Sequence, residues 1–413
     1  MTRVVGVLAT LDTKGPEAQF LREQIEAQGC RAVLVDIGVV GEPGARPDIP
    51  REDVARAGGT ELAEILRKPT RQDASPVMVA GAIALLMERQ RAGELHALVG
   101  LGGTQGTSNA SAVMRAFAYG FPKIMVSTAA SGDVSSFVDI KDVTMMFSVS
   151  DLLGLNPVTR KILANAAGAA CGMAGVDVAL EPESGDRPLI GMSNLGVLTE
   201  GAMEAVAAFE EAGYEVIVFH AVGSGGRAME QLMKDGVIGA VFDYAMGEIS
   251  DELFDGFRAG SPERLTVAGD LGLPQVLCPG GTEHIGVFVE PDTVPDAWKD
   301  HTYVFHNPVI FVPRLSADQM ARVAREIGER LKHTKGRATM FLPNAGVSRY
   351  SKQGGPLYDP EGEAAFLAAL RESLPETVEL VAHETHAEDP AFVRAAVARL
   401  IELIEQGQPA SGA

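Results

Sequence analysis

Short segments that are apolar throughout alternate along this chain with longer segments whose apolar residues recur at helical spacing. This order constrains the fold more than any other feature, because strand–helix alternation produces parallel sheets with helices on both faces. Strands in such sheets are buried on both sides and therefore read as continuous apolar runs. In the first half the pattern predicts strands at residues 4–9, 32–37, 96–101, 123–127 and 143–149, and helices at 16–28, 52–66, 76–92, 109–117 and 157–173.

The same pattern restarts after a polar, proline-containing segment at residues 181–188. The chain has 413 residues, which is enough for two domains with full cores. We therefore predict an α/β protein of two Rossmann-like lobes, residues 1–183 and 184–413, each a mostly parallel sheet with helices on both faces. The second lobe has predicted strands at residues 189–192, 215–220, 238–242, 275–278, 338–342 and 378–381, and helices at 197–212, 317–332, 362–373 and 390–406.

The charge balance excludes several classes of partner. Aspartate and glutamate outnumber lysine and arginine 55 to 35, giving a net charge of −20. Broad binding to nucleic acid or to an anionic membrane needs a basic surface, so we expect neither. A small anionic ligand stays compatible, because backbone amides and one or two cations hold it locally.

The start of the chain, the length of its apolar runs and its cysteines all predict a cytoplasmic protein. The chain starts directly with an apolar strand, without the features of a signal peptide, and no apolar run is long enough to span a membrane. Cys30, Cys171 and Cys278 are odd in number and far apart, which argues against a disulfide framework or a zinc knuckle. We expect a soluble cytoplasmic protein.

A glycine-rich loop at residues 100–108 carries the sharpest chemical signal. It lies between a predicted strand and a predicted helix, where glycines allow close backbone approach and helix amides face an anion. Gly102, Gly103 and Gly106 supply the glycines, and Thr104 and Thr107 add hydroxyl groups. The loop predicts a phosphate site; the alternative is a tight turn that needs glycine only for its geometry.

The loop does not match either of the common nucleotide fingerprints. No lysine follows its last glycine, so it is not a Walker A motif. Gln105 stands where the dinucleotide fingerprint requires its third glycine, which counts against an NAD- or NADP-dependent oxidoreductase.

Two further loops are predicted at the same edge of the sheet. Ser127, Thr128, Ser131 and Gly132 follow the next strand and are again small and polar. Ligands in open parallel sheets bind beyond the carboxyl ends of the strands, so adjacent loops of this kind would form one crevice. The alternative for each loop alone is a surface turn.

The loop after the first strand contains Asp12, Thr13 and Lys14. Lys14 could neutralise phosphate and Asp12 could hold Mg²⁺, while the plainer role of Thr13 is to cap the following helix. Asp36 ends the second strand, where an acidic residue commonly binds a ribose hydroxyl or simply closes a turn.

The second lobe offers polar residues of another kind after its strands. His284, His306, His383 and His386 all follow predicted strands or apolar segments, and Asp243 ends one. Such residues could assemble a catalytic or metal site, although their spacing is not that of a known metal motif and solvated loops are the alternative. The glycine-rich turn at residues 223–226 could hold a further anion.

Segments 7–14, 99–108 and 127–132 together resemble the tobamovirus-resistance-protein-like family of ATP-binding domains, typified by a tomato protein. The resemblance implies a module of two Rossmann-like subdomains that is a homodimer and binds ATP with Mg²⁺ in the first subdomain. By motif it implies that the nucleotide is bound by Asp12, Thr13, Lys14, Asp36, Gly102, Gly103, Thr104, Gly106, Thr107, Ser127, Thr128, Ser131 and Gly132.

The resemblance also implies a protein partner. The plant protein continues into a barrel-like domain, so we expect any activity of that domain to be absent here or supplied by a separate barrel-type subunit. Three functions stay open at this point. They are a nucleotide-binding module, a metabolic enzyme that acts on a small carboxylate or carbonyl substrate in a cleft between the lobes, and the disfavoured oxidoreductase.

Overall fold

The computed structural model describes residues 2–67, 70–178, 180, 185 and 187–407. Their contacts divide the chain into two compact units, residues 1–179 and residues 180–413. The predicted boundary between residues 183 and 184 lies outside the described residues. In the described part of the chain, no helix is both long enough and apolar enough to cross a membrane.

The first unit is built on a five-stranded parallel sheet in the order β2-β1-β3-β4-β5. This confirms the predicted α/β class with a Rossmann-like sheet. Every strand that the sequence pattern predicts is present, within two residues at either end. The strands are β1 (Val4–Ala9), β2 (Arg31–Asp36), β3 (Ala97–Gly102), β4 (Lys123–Ser127) and β5 (Thr144–Phe147).

Helices cover this sheet, and its two faces carry separate apolar cores. In β1, Val4 and Leu8 pack on one face, whereas Val5, Val7 and Ala9 pack on the other. The helices of this unit are α1 (Leu11–Ala27), α2 (Arg51–Ala57), α3 (Leu62–Arg67), α4 (Arg71–Arg91), α5 (Thr104–Arg115), α6 (Ser135–Val138) and α7 (Pro157–Ala174).

The helices predicted over 76–92 and 109–117 begin five residues earlier in the structure, at Arg71 and Thr104, and two further predicted helices also have different bounds. The first begins at Leu11 rather than at Pro16, because a separate first turn precedes it and Lys14 interrupts the helical backbone between them. The helix predicted over 52–66 is two helices, because Gly59 adopts a positive φ of 95° and ends the first of them.

The second unit contains a six-stranded parallel sheet in the order β14-β13-β9-β8-β6-β7. A three-stranded antiparallel sheet, in the order β10-β12-β11, is an addition that strand–helix alternation did not predict. The strands are β6 (Ile190–Asn194), β7 (Val216–His220), β8 (Ala240–Ala245), β9 (Gln275–Gly280), β10 (Val287–Phe288), β11 (Tyr303–Asn307), β12 (Ile310–Pro313), β13 (Ala338–Pro343) and β14 (Val378–His383).

Seven α-helices of the described residues accompany these strands. Several begin with strong capping residues: Ser316 caps α12 in a capping box, and Asp359 and Asp389 cap α13 and α14. The helices are α8 (Thr199–Glu211), α9 (Ser224–Lys234), α10 (Gly247–Leu253), α11 (Val267–Leu271), α12 (Ala317–Leu331), α13 (Pro360–Ser373) and α14 (Pro390–Glu405).

The fully buried Arg264 guanidinium connects the elements of the second unit. Its Nε donates to Glu248 in α10 at 2.7 Å, and its two terminal nitrogens bond both oxygens of Asp243 in β8. Asp243 also accepts a hydrogen bond of 2.6 Å from the hydroxyl of Ser193 in β6. Asp243, which the sequence suggested as a catalytic candidate, is therefore committed to this buried network.

The glycine-rich turn at residues 223–226, a candidate anion site in the sequence, binds a carboxylate of the protein itself. The carboxylate of Glu248 accepts the backbone N–H groups of Gly223 at 2.6 Å and Gly226 at 3.1 Å. A Cβ at Gly226 would lie 2.1 Å from the other oxygen of Glu248, so the turn needs glycine there. The start of α9 is thus satisfied internally.

Replacing Arg264 with methionine should destabilise the protein by about 3–5 kcal/mol, because it leaves buried carboxylates without their cation. Denaturant unfolding followed by circular dichroism measures this loss. Arg399→Met is the matched control, since Arg399 forms partly exposed ion pairs with Glu379 and Glu402 and should change stability by less than about 1 kcal/mol. Equal losses in the two variants would contradict a central role for Arg264.

Glu230 is the third carboxylate beside Arg264, at 3.7 Å, and burial raises its pKa to about 7. The folded protein therefore binds this proton more tightly than the unfolded chain. As a result, the free energy of unfolding should fall as pH rises from about 4.5 to about 7. Glu230→Gln should reduce that fall.

The measurement is denaturant unfolding of both proteins across this pH interval. Burial also raises the pKa of Glu363 to about 7, so Glu363→Gln should remove a further part of the slope. An unchanged slope in Glu230→Gln would show that Glu230 is ionised in the folded protein.

Candidate functional site

An open crevice of about 500 Å³ lies at the carboxyl ends of β1, β2 and β3 in the first unit. The chain leaves β1 toward β2 on one side and later returns to β3 on the other, so this is the point where the strand order reverses. Ligands of open α/β sheets bind at such points. The lining residues are Thr10, Asp12, Thr13, Lys14, Ile37, Gly38, Val39, Val40, Thr70, Ala74, Ser75, Met78, Gly103, Thr104, Gln105, Gly106 and Asn109.

The turn between β1 and the main part of α1 places an acidic residue, Asp12, and a basic residue, Lys14, at this crevice. The Oδ1 atom of Asp12 is buried, and no described residue provides it with a hydrogen-bond partner. The Lys14 ammonium donates one hydrogen bond of 2.5 Å to the carbonyl of Leu152, which leaves two of its three donors for other acceptors. The kink at Lys14 allows this side chain to leave the helical path.

The start of α5 forms another part of the crevice wall. Gly103 occupies the N-cap position, and no side chain of the described residues caps the helix there. The first N–H groups of a helix have no partner within the helix, so those of α5 are available to an acceptor in the crevice. This is the arrangement that binds phosphate groups at helix N-termini.

The two glycines before α5 differ in whether the surrounding protein requires a glycine at that position. A Cβ at Gly102 would lie 2.8 Å from the Cα of Gly106, so Gly102 lets the helix pack against the strand. A Cβ at Gly103 would meet nothing closer than the Thr128 hydroxyl at 3.8 Å, so no protein atom requires glycine there. Gly103 leaves room that the protein itself does not fill.

Four of the predicted site residues lie beneath the crevice and do not line it. Gly102, Thr107, Ser127 and Asp36 are buried. The hydroxyls of Thr107 and Ser127 bond each other at 2.7 Å, which joins α5 to β4. Ser127 also accepts the N–H of Ala129 at 2.9 Å. These hydroxyl groups stabilise the loops from below.

Asp36 has a similar supporting position. Its Oδ1 atom accepts the N–H groups of Leu11 at 3.1 Å and Gly38 at 2.9 Å, which holds the loops after β1 and β2 together. Burial raises its pKa, the two backbone hydrogen bonds and Arg51 lower it, and the nearby Asp12 carboxylate raises it further. Two carboxylates therefore approach each other at one end of the crevice.

Thr128, Ser131 and Gly132 lie in the loop after β4 and are not among the lining residues. Thr128 is the nearest of them, since its hydroxyl faces the open position at Gly103. Of the predicted residues, the structure thus brings Asp12, Thr13, Lys14, Gly103, Thr104 and Gly106 to one surface.

Sequence reasoning missed the side of the crevice formed by α4 and by the segment after β2. Val39 and Val40 supply apolar surface, and Ser75 accepts a hydrogen bond of 3.1 Å from the amide of Gln105. The same amide donates to Asn109 at 3.0 Å, so Gln105 links α4 to α5. No motif identifies these residues, because helical spacing predicts only that α4 packs against the sheet.

The second unit has its own pocket of about 450 Å³ at the carboxyl ends of β6, β7 and β9. The order of its sheet also reverses here, since β7 and β8 lie on opposite sides of β6. His284 and His306, two of the four candidate histidines, line this pocket. The full lining is Leu195, Gly196, Val197, His220, Val222, Phe257, Arg258, His284, Gly286, His306, Ile310, Val312, Arg349 and Tyr350.

The other two candidate histidines are not part of this pocket. The ring of His383 stacks on Phe341 at 5.3 Å and meets the edge of Phe392 at 5.6 Å, which is a packing role. His386 accepts the N–H of Glu388 at 3.2 Å within its own turn. Among the described residues, no group of three or more histidines, cysteines or carboxylates could hold a metal ion.

Comparison with known proteins identifies the family of this chain. The model of the N-terminal domain of an uncharacterised protein family, UPF0261, matches residues 3–179, and the C-terminal domain model matches residues 187–404. This chain belongs to the UPF0261 family. A UPF0261 protein of Clostridium tetani is 38% identical over 408 residues, which cover 98% of this chain and 100% of that protein.

A plant protein is a more distant relative of this UPF0261 chain. The ToMV susceptible protein tm-1(GCR26) of Solanum lycopersicum is 28% identical over 416 residues, covering 96% of this chain and 55% of the tomato protein. Among solved structures, a UDP-N-acetylglucosamine 2-epimerase from Rickettsia bellii is 12% identical with a TM-score of 0.25, covering 67% of this chain and 78% of that one. A likeness that weak carries no functional argument.

Alanine at Gly102 should reduce stability more than alanine at Gly103. Gly102→Ala places a methyl group against the backbone of Gly106 and should cost about 1–3 kcal/mol. Gly103→Ala enters open space and should change the free energy of unfolding by less than about 1 kcal/mol. Urea unfolding of the pair measures the difference; similar losses would mean that the start of α5 packs differently.

Proposed function

We propose that this UPF0261 protein binds ATP with Mg²⁺ in the crevice of the first unit. The observation that carries the proposal is that the uncapped start of α5, Asp12 and Lys14 line one open crevice at the point where the strand order reverses. Phosphate groups would accept the amides of α5 and the Lys14 ammonium. The resemblance of the three loop motifs to an ATP-binding family supports the choice of nucleotide.

The crevice has surfaces for both ends of a nucleotide. Val39 and Val40 offer apolar contact for a base, and they line the same crevice as the polar start of α5. Aromatic bases bind apolar surfaces, whereas phosphates bind amides and cations. This division of the lining supports a nucleotide over inorganic phosphate alone.

A divalent cation is part of the proposal because of the local charge. Asp12 lines the crevice that would hold the phosphates and Asp36 lies close to Asp12, and a polyphosphate beside carboxylates is repelled unless a cation bridges them. Mg²⁺ is commonly bound by one or two carboxylates together with substrate phosphates. The unpartnered Oδ1 of Asp12 suits this role, and Mg²⁺ would neutralise phosphate charge there.

Isothermal calorimetry with ATP and Mg²⁺ tests the site. Gly103→Val fills the space beside the α5 amides and should weaken binding at least tenfold, about 1.4 kcal/mol, in a folded protein. Gly172→Val is the matched control, because a Cβ at Gly172, in α7, meets no atom within 4 Å and lies outside the crevice. Wild-type protein that binds NADH but not ATP would contradict the choice of nucleotide, and equal binding by Gly103→Val would contradict the site.

The dependence on metal gives a second test. In excess EDTA the affinity for ATP should fall at least tenfold (about 1.4 kcal/mol), because the Asp12 carboxylate then repels the phosphates. Asp12→Asn should bind Mg²⁺–ATP more weakly than the wild type and show a smaller difference between Mg²⁺ and EDTA. Wild-type affinity that is the same with and without Mg²⁺ would contradict a metal bridge at Asp12.

A further inference from the structure

The pocket of the second unit presents hydrogen-bond donors on an apolar surface. Its lining includes two arginines and three histidines but no carboxylate, and its other walls include Val197, Phe257 and Ile310. Pockets of this size and mixture bind small organic molecules. In a chain with a net charge of −20, such a concentration of donors selects an anionic group.

Each guanidinium group has an N–H donor that no carboxylate of the described residues accepts. Arg258 bonds Asp251 through Nε and Nη2 and the His284 carbonyl through Nη2, which leaves its Nη1 only the imidazole of His284, at 3.3 Å. Arg349 donates from Nη2 to Glu388 at 2.9 Å, while no described residue accepts its buried Nε. Each arginine is already paired with one carboxylate of the protein. Little positive charge is therefore left to balance a ligand, which favours a monoanionic carboxylate over a phosphate dianion.

His284 has the surroundings of a proton-transferring imidazole. Its Nδ1 lies 3.0 Å from Oε1 of the fully buried Glu283, off the line of a good hydrogen bond, so the contact is mainly electrostatic. Glu283 Oε1 also accepts the Ser348 hydroxyl. Burial alone would raise the pKa of Glu283, but His284, Arg314 and Ser348 hold it at about 2. The Glu283 carboxylate favours a proton on Nδ1, so in the neutral form of the imidazole Nε2 carries no proton and can act as the base.

We propose that the pocket of the second unit binds a small organic carboxylate that also carries a ketone group, and that Nε2 of His284 takes a proton from the carbon next to that ketone. The ligand carboxylate accepts from Arg349 and from Nη1 of Arg258, which releases that donor from His284. The C–H bond breaks, the N–H bond forms, and the electron pair moves to the carbonyl oxygen as an enolate. Return of a proton from the imidazolium restores the ketone. This function is independent of nucleotide binding in the first unit.

Binding is tested by calorimetry with phenylacetate, with phenylacetamide as the neutral control and inorganic phosphate as the alternative anion. Phenylacetate should bind the wild type, and phenylacetamide should not. Arg349→Gln should weaken binding about tenfold or more. Arg399→Gln, which changes a partly exposed, ion-paired arginine outside the pocket, should bind as the wild type does. No binding of phenylacetate, or binding of phosphate in its place, overturns the proposal.

Proton transfer is tested by following exchange of the benzylic protons of phenylpyruvate in D₂O by NMR. The wild type should accelerate exchange, and a folded His284→Gln should accelerate it at least about tenfold less than the wild type does. Glu283→Gln should shift the pH profile of exchange to lower pH, because the imidazolium loses its carboxylate partner. Exchange by His284→Gln at the wild-type rate, or no acceleration by a wild type that binds phenylpyruvate, overturns the role of His284.

Discussion

The second unit depends on the charge of one buried side chain. Arg264 bonds Asp243 in β8 and Glu248 in α10, while its backbone carbonyl accepts from Arg330 in α12. Glu248 in turn holds the start of α9, and Asp243 holds Ser193 in β6. A guanidinium is suited to this position because it keeps its charge when buried and directs five donors along fixed lines. The ends of two neighbouring strands and the start of α9 are therefore positioned by a single cation, and the pocket of this unit lies beside them.

The two units treat the same local motif in different ways. In each, a strand ends at a small-residue turn, and the glycine at the N-cap position of the next helix has no side chain to cap it. In the second unit Glu248 occupies the amides of the turn before α9, so the helix start is closed and structural. In the first unit nothing among the described residues caps α5, and Gly103 keeps the space before it open. The difference separates a turn that stabilises the fold from one that is available to a ligand, and it is the main physical support for a nucleotide site in this UPF0261 protein.

Much of the fold follows from the sequence because parallel strands are buried on both faces and leave continuous apolar runs. The bounds of β1 and β4 agree with the prediction, and Pro390 marks the start of α14 as expected. The pattern missed the separate turn over residues 11–13 and predicted the starts of α4 and α5 five residues too late, because the first turns of these helices are polar and have no apolar periodicity of their own. Among the site residues, the turn containing Asp12 and Lys14 and the glycines before α5 lie where a strand-end ligand site would be. Thr107 and Ser127 carry the same hydroxyl groups as ligand-binding residues, yet they bond each other, which no local pattern reveals.

The sequence by itself determined the fold class, the series of strand-end loops and the exclusion of a broadly basic surface, because these follow from apolar periodicity, glycine placement and net charge. Only the tertiary structure decided which polar groups meet. It joined Asp243 to Arg264, filled the turn before α9 with Glu248, and placed His284 between Glu283 and Arg258. It also placed Cys30 and Cys171 side by side as thiols although they are far apart in the chain. The reason is that hydrogen bonds and ion pairs act over a few ångströms, and those distances exist only after the strands have assembled into sheets.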